Sequence, residues 1–334
     1  MLNIWLRTTP RSLSKFRGET GVSIHHDAYI KYMSIHPCIK LYPEYPIGVD
    51  SPSEPATPEY KVMWFGDMTD WQIDQKRFNM SYSPTHESIL LAEWIETINK
   101  CDIAFFGSRS CANFQKDNGI KIPIYVFPGG VDTDYFTYID RDFDGIFRFL
   151  HLGITQWRKA SHLACEAFSK SFPYEDDVRL IIRSPGRTDM FNELEKTYYN
   201  DKRILFQTWL LPHEKMQLAY NDCHCLLYPS FSEGWGLVLP EALMTGMPVI
   251  ASRFSSMLDQ MDDNCGWWVE MKQYPAFSDT GVNMDSLIEK MRTAYRDRSL
   301  CREKSLYSAE YAKNNLTWVK SINGFVSLMS SIGL

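Results

Sequence analysis

Tyr228-Pro229-Ser230-Phe231-Ser232-Glu233-Gly234-Trp235-Gly236-Leu237-Val238-Leu239-Pro240-Glu241-Ala242-Leu243 reads as the end of a buried strand, a glycine-bearing loop and the start of a helix near Leu237. Pro240 fits the first helical turn, where its missing N–H costs no hydrogen bond. The glycines let backbone approach a ligand closely, and the open N–H groups at a helix start favour an anion such as a diphosphate. Glu233 falls on the loop and Glu241 about one turn inside the helix. Both can face the C-terminal edge of a sheet, where open α/β folds bind ligands. A carboxylate accepts two hydrogen bonds from adjacent hydroxyls, so each glutamate suits a diol. The same residues also suit a ligand-free loop and a plain helix surface, and the stretch alone leaves both readings open.

Working outward, short apolar runs alternate with helical periodicity, which predicts an α/β chain. Toward the C-terminus Pro248-Val249-Ile250 is a strand, and residues from about Met284 are largely helical. Upstream, strands are predicted at Phe147–Leu152, Val178–Ile182, Ile204–Thr208 and Cys225–Tyr228, with a helix over Lys159–Phe172. Before them, strands are predicted at Asn3–Arg7, Tyr60–Phe65, Arg77–Tyr82, Ile103–Phe106 and Ile124–Phe127. Helices are predicted at Val22–Met33 and Glu87–Asn99, the second from Leu90, Leu91, Trp94, Ile95 and Ile98 at helical spacing. The acidic stretch Asp140–Gly145 interrupts this pattern and sets a domain boundary: 1–140, 141–315 and a final helix at 316–334. The proline-rich segment between residues 34 and 60 predicts a long loop.

With 334 residues the chain favours two domains at roughly 150 residues each. A net charge of −6 argues against nucleic acid as a partner. The eight cysteines are scattered, without zinc-ribbon spacing, and predict free buried thiols in a reducing compartment. In Cys223-His224-Cys225 a strand sends the histidine to the opposite face from the cysteines, so no metal site is expected. His25-His26-Asp27 diverge around a helix and are rejected likewise. No secretory signal is visible, and no stretch reaches the ~20 apolar residues of a membrane span. The expectation is a soluble, cytoplasmic protein with room for peripheral contact with a membrane. Arg7, Arg11, Lys15 and Arg17 give the first loop a positive cast, read as a solvated loop before an anion site.

Ser232-Glu233-Gly234-Trp235-Gly236-Leu237, then Glu241-Ala242-Leu243 after three residues, followed by Thr245-Gly246-Met247-Pro248-Val249-Ile250-Ala251-Ser252, resembles the signature of the retaining glycosyltransferases of family 4. Glu93–Asp102, Ser108 and Phe127-Pro128-Gly129-Gly130-Val131-Asp132 resemble the second half of the family's N-terminal domain, and Leu152–Lys159 the start of its C-terminal domain. The resemblance runs from about residue 79 to 252, with residues 1–78 shortened.

The resemblance implies the GT-B fold: two Rossmann-like domains facing a cleft, with the C-terminal helix crossing back to the first domain. It implies sugar transfer from a nucleoside-diphosphate sugar, with retention, to an acceptor hydroxyl on a glycan, a lipid-linked molecule or a small molecule. Glu241 would bind the donor ribose and Glu233 the transferred sugar. The backbone of Gly234, Trp235 and Gly236, with Leu237, would lie against sugar and phosphate, and Lys159 would meet the diphosphate. His86, ahead of the Leu90–Ile98 helix, would face the cleft and bond sugar or acceptor; a capping or surface histidine is the alternative. No metal or other cofactor is implied. The sequence departs from the family twice. Ile154 stands where an arginine or lysine follows the glycine matched to Gly153, so either Arg158 or a residue such as Arg183 substitutes, or the site is weaker. The glycine-rich first loop is reduced to Gly18-Glu19-Thr20-Gly21, leaving Gly21 as its donor contact. A sugar-nucleotide epimerase on the same fold, or a non-catalytic sugar-nucleotide binder, are the rival readings.

Overall fold

The computed structural model describes residues 1–8, 21–43, 59–66, 68, 71, 73–272 and 281–334. Two compact units emerge: Met1–Gly130 with Thr317–Leu334, and Val131–Leu316.

The first unit is built on six parallel strands, β1 (Leu2–Thr8), β2 (Ile39–Pro43), β3 (Lys61–Phe65), β4 (Asn79–Ser83), β5 (Ile103–Phe106) and β6 (Ile124–Val126), in the order β2-β1-β3-β4-β5-β6. Of its inner strands, β5 is a continuous apolar run with every residue buried, and β4 is buried throughout although it carries Asn79, Ser81 and Ser83. Such runs mark parallel strands covered on both faces. The helices here are α1 (Gly21–Ser34), α2 (Ala92–Ile98) and α3 (Arg109–Asp117). Ser108 caps α3 by accepting from the Cys111 N–H at 3.2 Å.

The second unit repeats the plan with β7 (Phe147–Leu152), β8 (Val178–Ser184), β9 (Ile204–Thr208), β10 (Cys225–Tyr228), β11 (Val249–Ser252) and β12 (Gly266–Val269). Their order is β12-β11-β10-β7-β8-β9. Its helices are α4 (Ser161–Ser171), α5 (Asp189–Thr197), α6 (Val238–Met244), α7 (Met257–Gln260), α8 (Met284–Arg296) and α9 (Arg298–Asn315). Leu163, Ala164, Ala167 and Phe168 of α4 join Phe147, Phe149, Leu180 and Ile182 in one apolar core. Strand order reverses between β7 and β10, which pair in parallel. In doubly wound sheets the crevice beyond such a reversal is where ligands bind.

The last helix, α10 (Trp318–Ser331), belongs to the first unit. Trp318 packs edge-on to His25 and Tyr29, and Phe325 stacks on Phe127 at 4.6 Å. Gly130 permits this approach, since a Cβ there would lie 2.3 Å from the Trp318 nitrogen.

Several expectations are corrected. Residues 131–140 cluster with the second unit rather than the first. Ile139 N–H donates to the Thr245 carbonyl at 3.1 Å and Thr137 N–H to Gln217 Oε1 at 2.7 Å, so the division lies at 130, not 140. The helix expected from Glu87 begins at Ala92, because Leu91 is extended (φ −60°, ψ 144°). β2 lies inside the segment expected to be loop; residues 44–58 of that segment fall outside the described residues, as do Arg11, Lys15, Arg17 and Gly18–Thr20. Among the described residues no helix is long and apolar enough to cross a membrane.

Candidate functional site

The loops that follow β7 and β10 meet where the second sheet reverses. After β7, Gly153 turns the chain at φ 132°, its N–H donating to the Arg183 carbonyl at 3.0 Å. A 3-10 turn, Trp157–Lys159, follows. Ala160, left-handed at φ 54° and ψ 36°, then separates it from α4. Lys159 therefore ends a tight turn and is not the first residue of the helix, as periodicity suggests. The Phe231 N–H donates to the Arg158 carbonyl at 2.8 Å and ties the two loops together.

Glu233 sits at the centre. Its Oε1 lies 2.6 Å from Lys159 Nζ and its Oε2 2.8 Å from Arg158 Nη1, and its side chain is 5% exposed. Arg158 also donates to the Ser232 carbonyl, and Lys159 Nζ donates to the Tyr228 hydroxyl at 3.3 Å. Ser255 accepts from the Glu233 N–H at 3.0 Å and donates to the Glu233 carbonyl at 2.9 Å, fixing the loop backbone. Burial pushes the Glu233 carboxyl up, but the charges of Lys159 and Arg158 outweigh it and hold it at about 2. Burial pulls Lys159 below its ordinary value, with Glu233 opposing.

Further along the motif Gly236 takes φ 83°. A Cβ there would come 2.6 Å from the Tyr228 hydroxyl, so backbone and phenol are in direct contact. Ser256 donates to the Trp235 carbonyl at 2.6 Å, and Gln260 donates to it as well. Leu237 begins the helical turn, its carbonyl accepting from the Glu241 N–H at 3.1 Å.

Glu241, on α6, is buried in a different environment. Tyr220 donates its hydroxyl to Oε2 at 2.6 Å. Burial pushes the carboxyl up to about 8, with the Tyr220 hydrogen bond opposing. Arg141 secures this corner: Nε donates to the Cys223 carbonyl at 2.8 Å, and Nη2 to Thr245 Oγ1 at 2.9 Å and to the Tyr220 carbonyl at 3.3 Å. The two glutamates thus differ. One is an ion-paired carboxylate, and the other is a buried acid on a phenol. Opposite shifts of this kind accompany functional sites.

Beneath them His151, on β7, donates from Nδ1 to the Leu227 carbonyl at 3.0 Å and accepts at Nε2 from the Ser161 hydroxyl at 2.9 Å. Burial lowers it to about 4, which keeps it neutral and suited to both bonds. Sequence reading missed Tyr228, Tyr220, Ser255, Arg141 and His151; the first stands inside the quoted motif, and the others carry no local signal.

Lys159, Arg158, Glu233 and Glu241, with Gly234, Trp235, Gly236 and Leu237, lie on the second unit's loops and α6. His86, half-buried on the segment after β4, and Gly21, which opens α1, belong to the first unit. The Arg183 guanidinium donates to Gln207 at 2.9 Å, pairs with Asp222 at 2.8 Å and stacks on Trp209. Ile154 is exposed. Among the described residues no cluster of His, Cys, Asp or Glu is placed to hold a metal ion. His224 accepts from the Arg148 N–H at 2.8 Å and bonds the Asp142 carbonyl at 2.9 Å instead.

Residues 147–284 match the family described as glycosyl transferases group 1. The whole chain shares the fold of GT-B glycosyltransferases. It is similar to Anabaena HepE, solved in complex with UDP and glucose, at 14% identity and TM-score 0.69, covering 99% of this chain and 100% of that one. It is also similar to sucrose-phosphate synthase of Thermosynechococcus elongatus at 14% identity and TM-score 0.71, covering 99% of each. WaaG, a glycosyltransferase involved in lipopolysaccharide biosynthesis, is 13% identical with TM-score 0.67 over 97% of this chain and 98% of that one. No curated protein matches the sequence.

Proposed function

We propose that the chain is a retaining glycosyltransferase moving a hexose-type sugar from a nucleoside diphosphate to an acceptor hydroxyl. The observation that carries this is Glu233 gripped between Lys159 and Arg158 where the strand order reverses, with Glu241 held apart on α6. Glu241 takes the ribose diol and Glu233 the hydroxyls of the sugar. Lys159 and Arg158 neutralise charge on the departing diphosphate, which grows in the transition state and is there most strongly stabilised. Arg158 fills the role left vacant by Ile154. These cations do the work a metal does in other sites. With Glu233 assigned to the sugar hydroxyls and Glu241 to the ribose, neither carboxylate is assigned as a covalent nucleophile, so retention is assigned to a front-face route in which the leaving phosphate helps deprotonate the acceptor. The acceptor is a glycan, a lipid-linked molecule or a small molecule.

The test is a thermal-shift screen of UDP-, ADP- and GDP-sugars, followed by transfer assays with anomeric assignment of the product. A ligand at 100 times its dissociation constant adds about 2.7 kcal/mol. Stabilisation by one donor and an α-linked product from an α-linked donor are expected. Interconversion of the nucleotide sugar without acceptor would identify an epimerase. Binding with no turnover across acceptors would identify a binder.

A further inference from the structure

The ion trio has a consequence for which ligands the site accepts. The two cations assigned to the diphosphate are engaged by one carboxylate: Lys159 at 2.6 Å and Arg158 at 2.8 Å from opposite oxygens of Glu233. All three side chains are substantially enclosed, at 12%, 25% and 5% exposure respectively. We infer that Glu233 is an internal stand-in for the donor's diphosphate, and that this makes the site favour a sugar-bearing donor over the bare nucleoside diphosphate left after transfer.

The inference rests on the proposed diphosphate contacts of Lys159 and Arg158. A diphosphate can reach those cations only by sharing them with Glu233 or displacing it. A displaced, buried carboxylate is costly unless new donors meet it. The hydroxyls of a transferred sugar are such donors, so a sugar-bearing donor lets the carboxylate move from ammonium and guanidinium to hydroxyls without losing its hydrogen bonds. A bare nucleoside diphosphate brings only more negative charge. Glu233 then faces phosphate across shared cations, and like charges brought together cost several kcal/mol. Discrimination arises from an element that penalises the wrong ligand, as in other specific sites. After transfer the same carboxylate reclaims Lys159 and Arg158, which promotes release of the nucleoside diphosphate. Ser255, bonded to both the N–H and the carbonyl of Glu233, keeps the backbone still, so the exchange is a side-chain movement.

The experiment is calorimetric titration of UDP, ADP and GDP into the full chain and into Glu233→Gln, Glu241→Gln and Lys159→Ala. Glu233→Gln is expected to bind the preferred nucleoside diphosphate about tenfold tighter or more, a change of ~1.4 kcal/mol, while its transfer rate falls. Glu241→Gln changes the other glutamate of the motif, a carboxyl that burial raises to about 8, and is expected to bind more weakly, which separates a local competitor from a general effect of exchanging a motif glutamate for glutamine. If Lys159→Ala weakens binding but Glu233→Gln leaves it unchanged or weaker, the stand-in role is refuted and the diphosphate site survives. If Lys159→Ala binds as the parent does, or none of the three nucleotides binds, the site reading falls and the inference with it. Should Glu233→Gln fail to fold, Glu233→Asp withdraws the carboxylate by one methylene and is expected to tighten binding to a smaller extent; no tightening there refutes the role equally.

Discussion

Replacing Glu241 by glutamine should make the ligand-free protein more stable at neutral pH while weakening its binding of nucleotide. The folded carboxyl is raised by burial from an ordinary 4.5 to about 8, against the hydrogen bond from Tyr220. A group raised in this way contributes stability that is complete below 4.5 and is lost as pH rises through 8. At pH 7 the unfolded chain has ionised the carboxyl and the folded chain has not, a difference of about 2.5 pH units or ~3 kcal/mol at 1.36 kcal/mol per unit. Glutamine cannot ionise, so it removes that penalty. Its carbonyl can still accept from Tyr220. Its NH2 group replaces the acid O–H as the buried donor, and any mismatch there adds an offset of about 1–3 kcal/mol. That offset does not vary with pH, so the slope is the signature. His151 and His224 are both lowered from 6.5 to about 4 by burial, and they cost stability as pH falls from 6.5 to 4. They do so equally in both proteins and cancel in the difference. Urea unfolding of parent and variant at steps from pH 6.5 to 8 should show the gap widening by ~2 kcal/mol in favour of glutamine. Parallel curves across that range would refute a buried, proton-holding Glu241.

Two further variants probe the loops. Lys159→Ala should lower the transfer rate about 100-fold or more, as loss of a main electrostatic contact does. Arg158→Ala should lose less, because Arg158 is the more exposed of the two at 25% against 12%; full activity in both variants, read as kcat at saturating donor, would exclude this diphosphate site. Gly236→Ala forces a left-handed backbone on a side-chain-bearing residue, about 1–2 kcal/mol, and drives a Cβ to 2.6 Å from the Tyr228 hydroxyl, about 1–3 kcal/mol more. Its melting temperature should fall by roughly 2–4 °C per kcal/mol lost, and an unchanged value would mean that Tyr228 yields freely.

What was legible in the sequence is what local chemistry can write. The motif from Tyr228 to Leu243 announces a strand, a close-approach loop and a helix start through proline and glycine placement alone. Strands such as Ile103–Phe106 announce burial on both faces by an unbroken apolar run. β2 was missed because Pro43 and its neighbours read as loop; as an edge strand it tolerates a terminal proline. Periodicity puts Lys159 on a helix because it does not register that Ala160 sits left-handed, a conformation costing about 1–2 kcal/mol that surrounding packing must supply. The acidic stretch at 140 looked like a linker, although the ten residues before it are bonded into the second unit. The pairings inside the site were beyond sequence reading for a different reason. Tyr220 and Glu241 stand before and after β10 and meet only in the folded unit, and Lys159 meets Glu233 only because β7 and β10 lie side by side. That adjacency is a property of strand order, which no residue records on its own. Once the order is known, the two loops must emerge at the same edge of the sheet, and a lysine on one and a glutamate on the other, both poorly hydrated there, have each other as the nearest opposite charge. The chemistry of the site is therefore written in residue types and its geometry in topology, which is why the candidate donor residues were nameable before the fold was known while their partners were not.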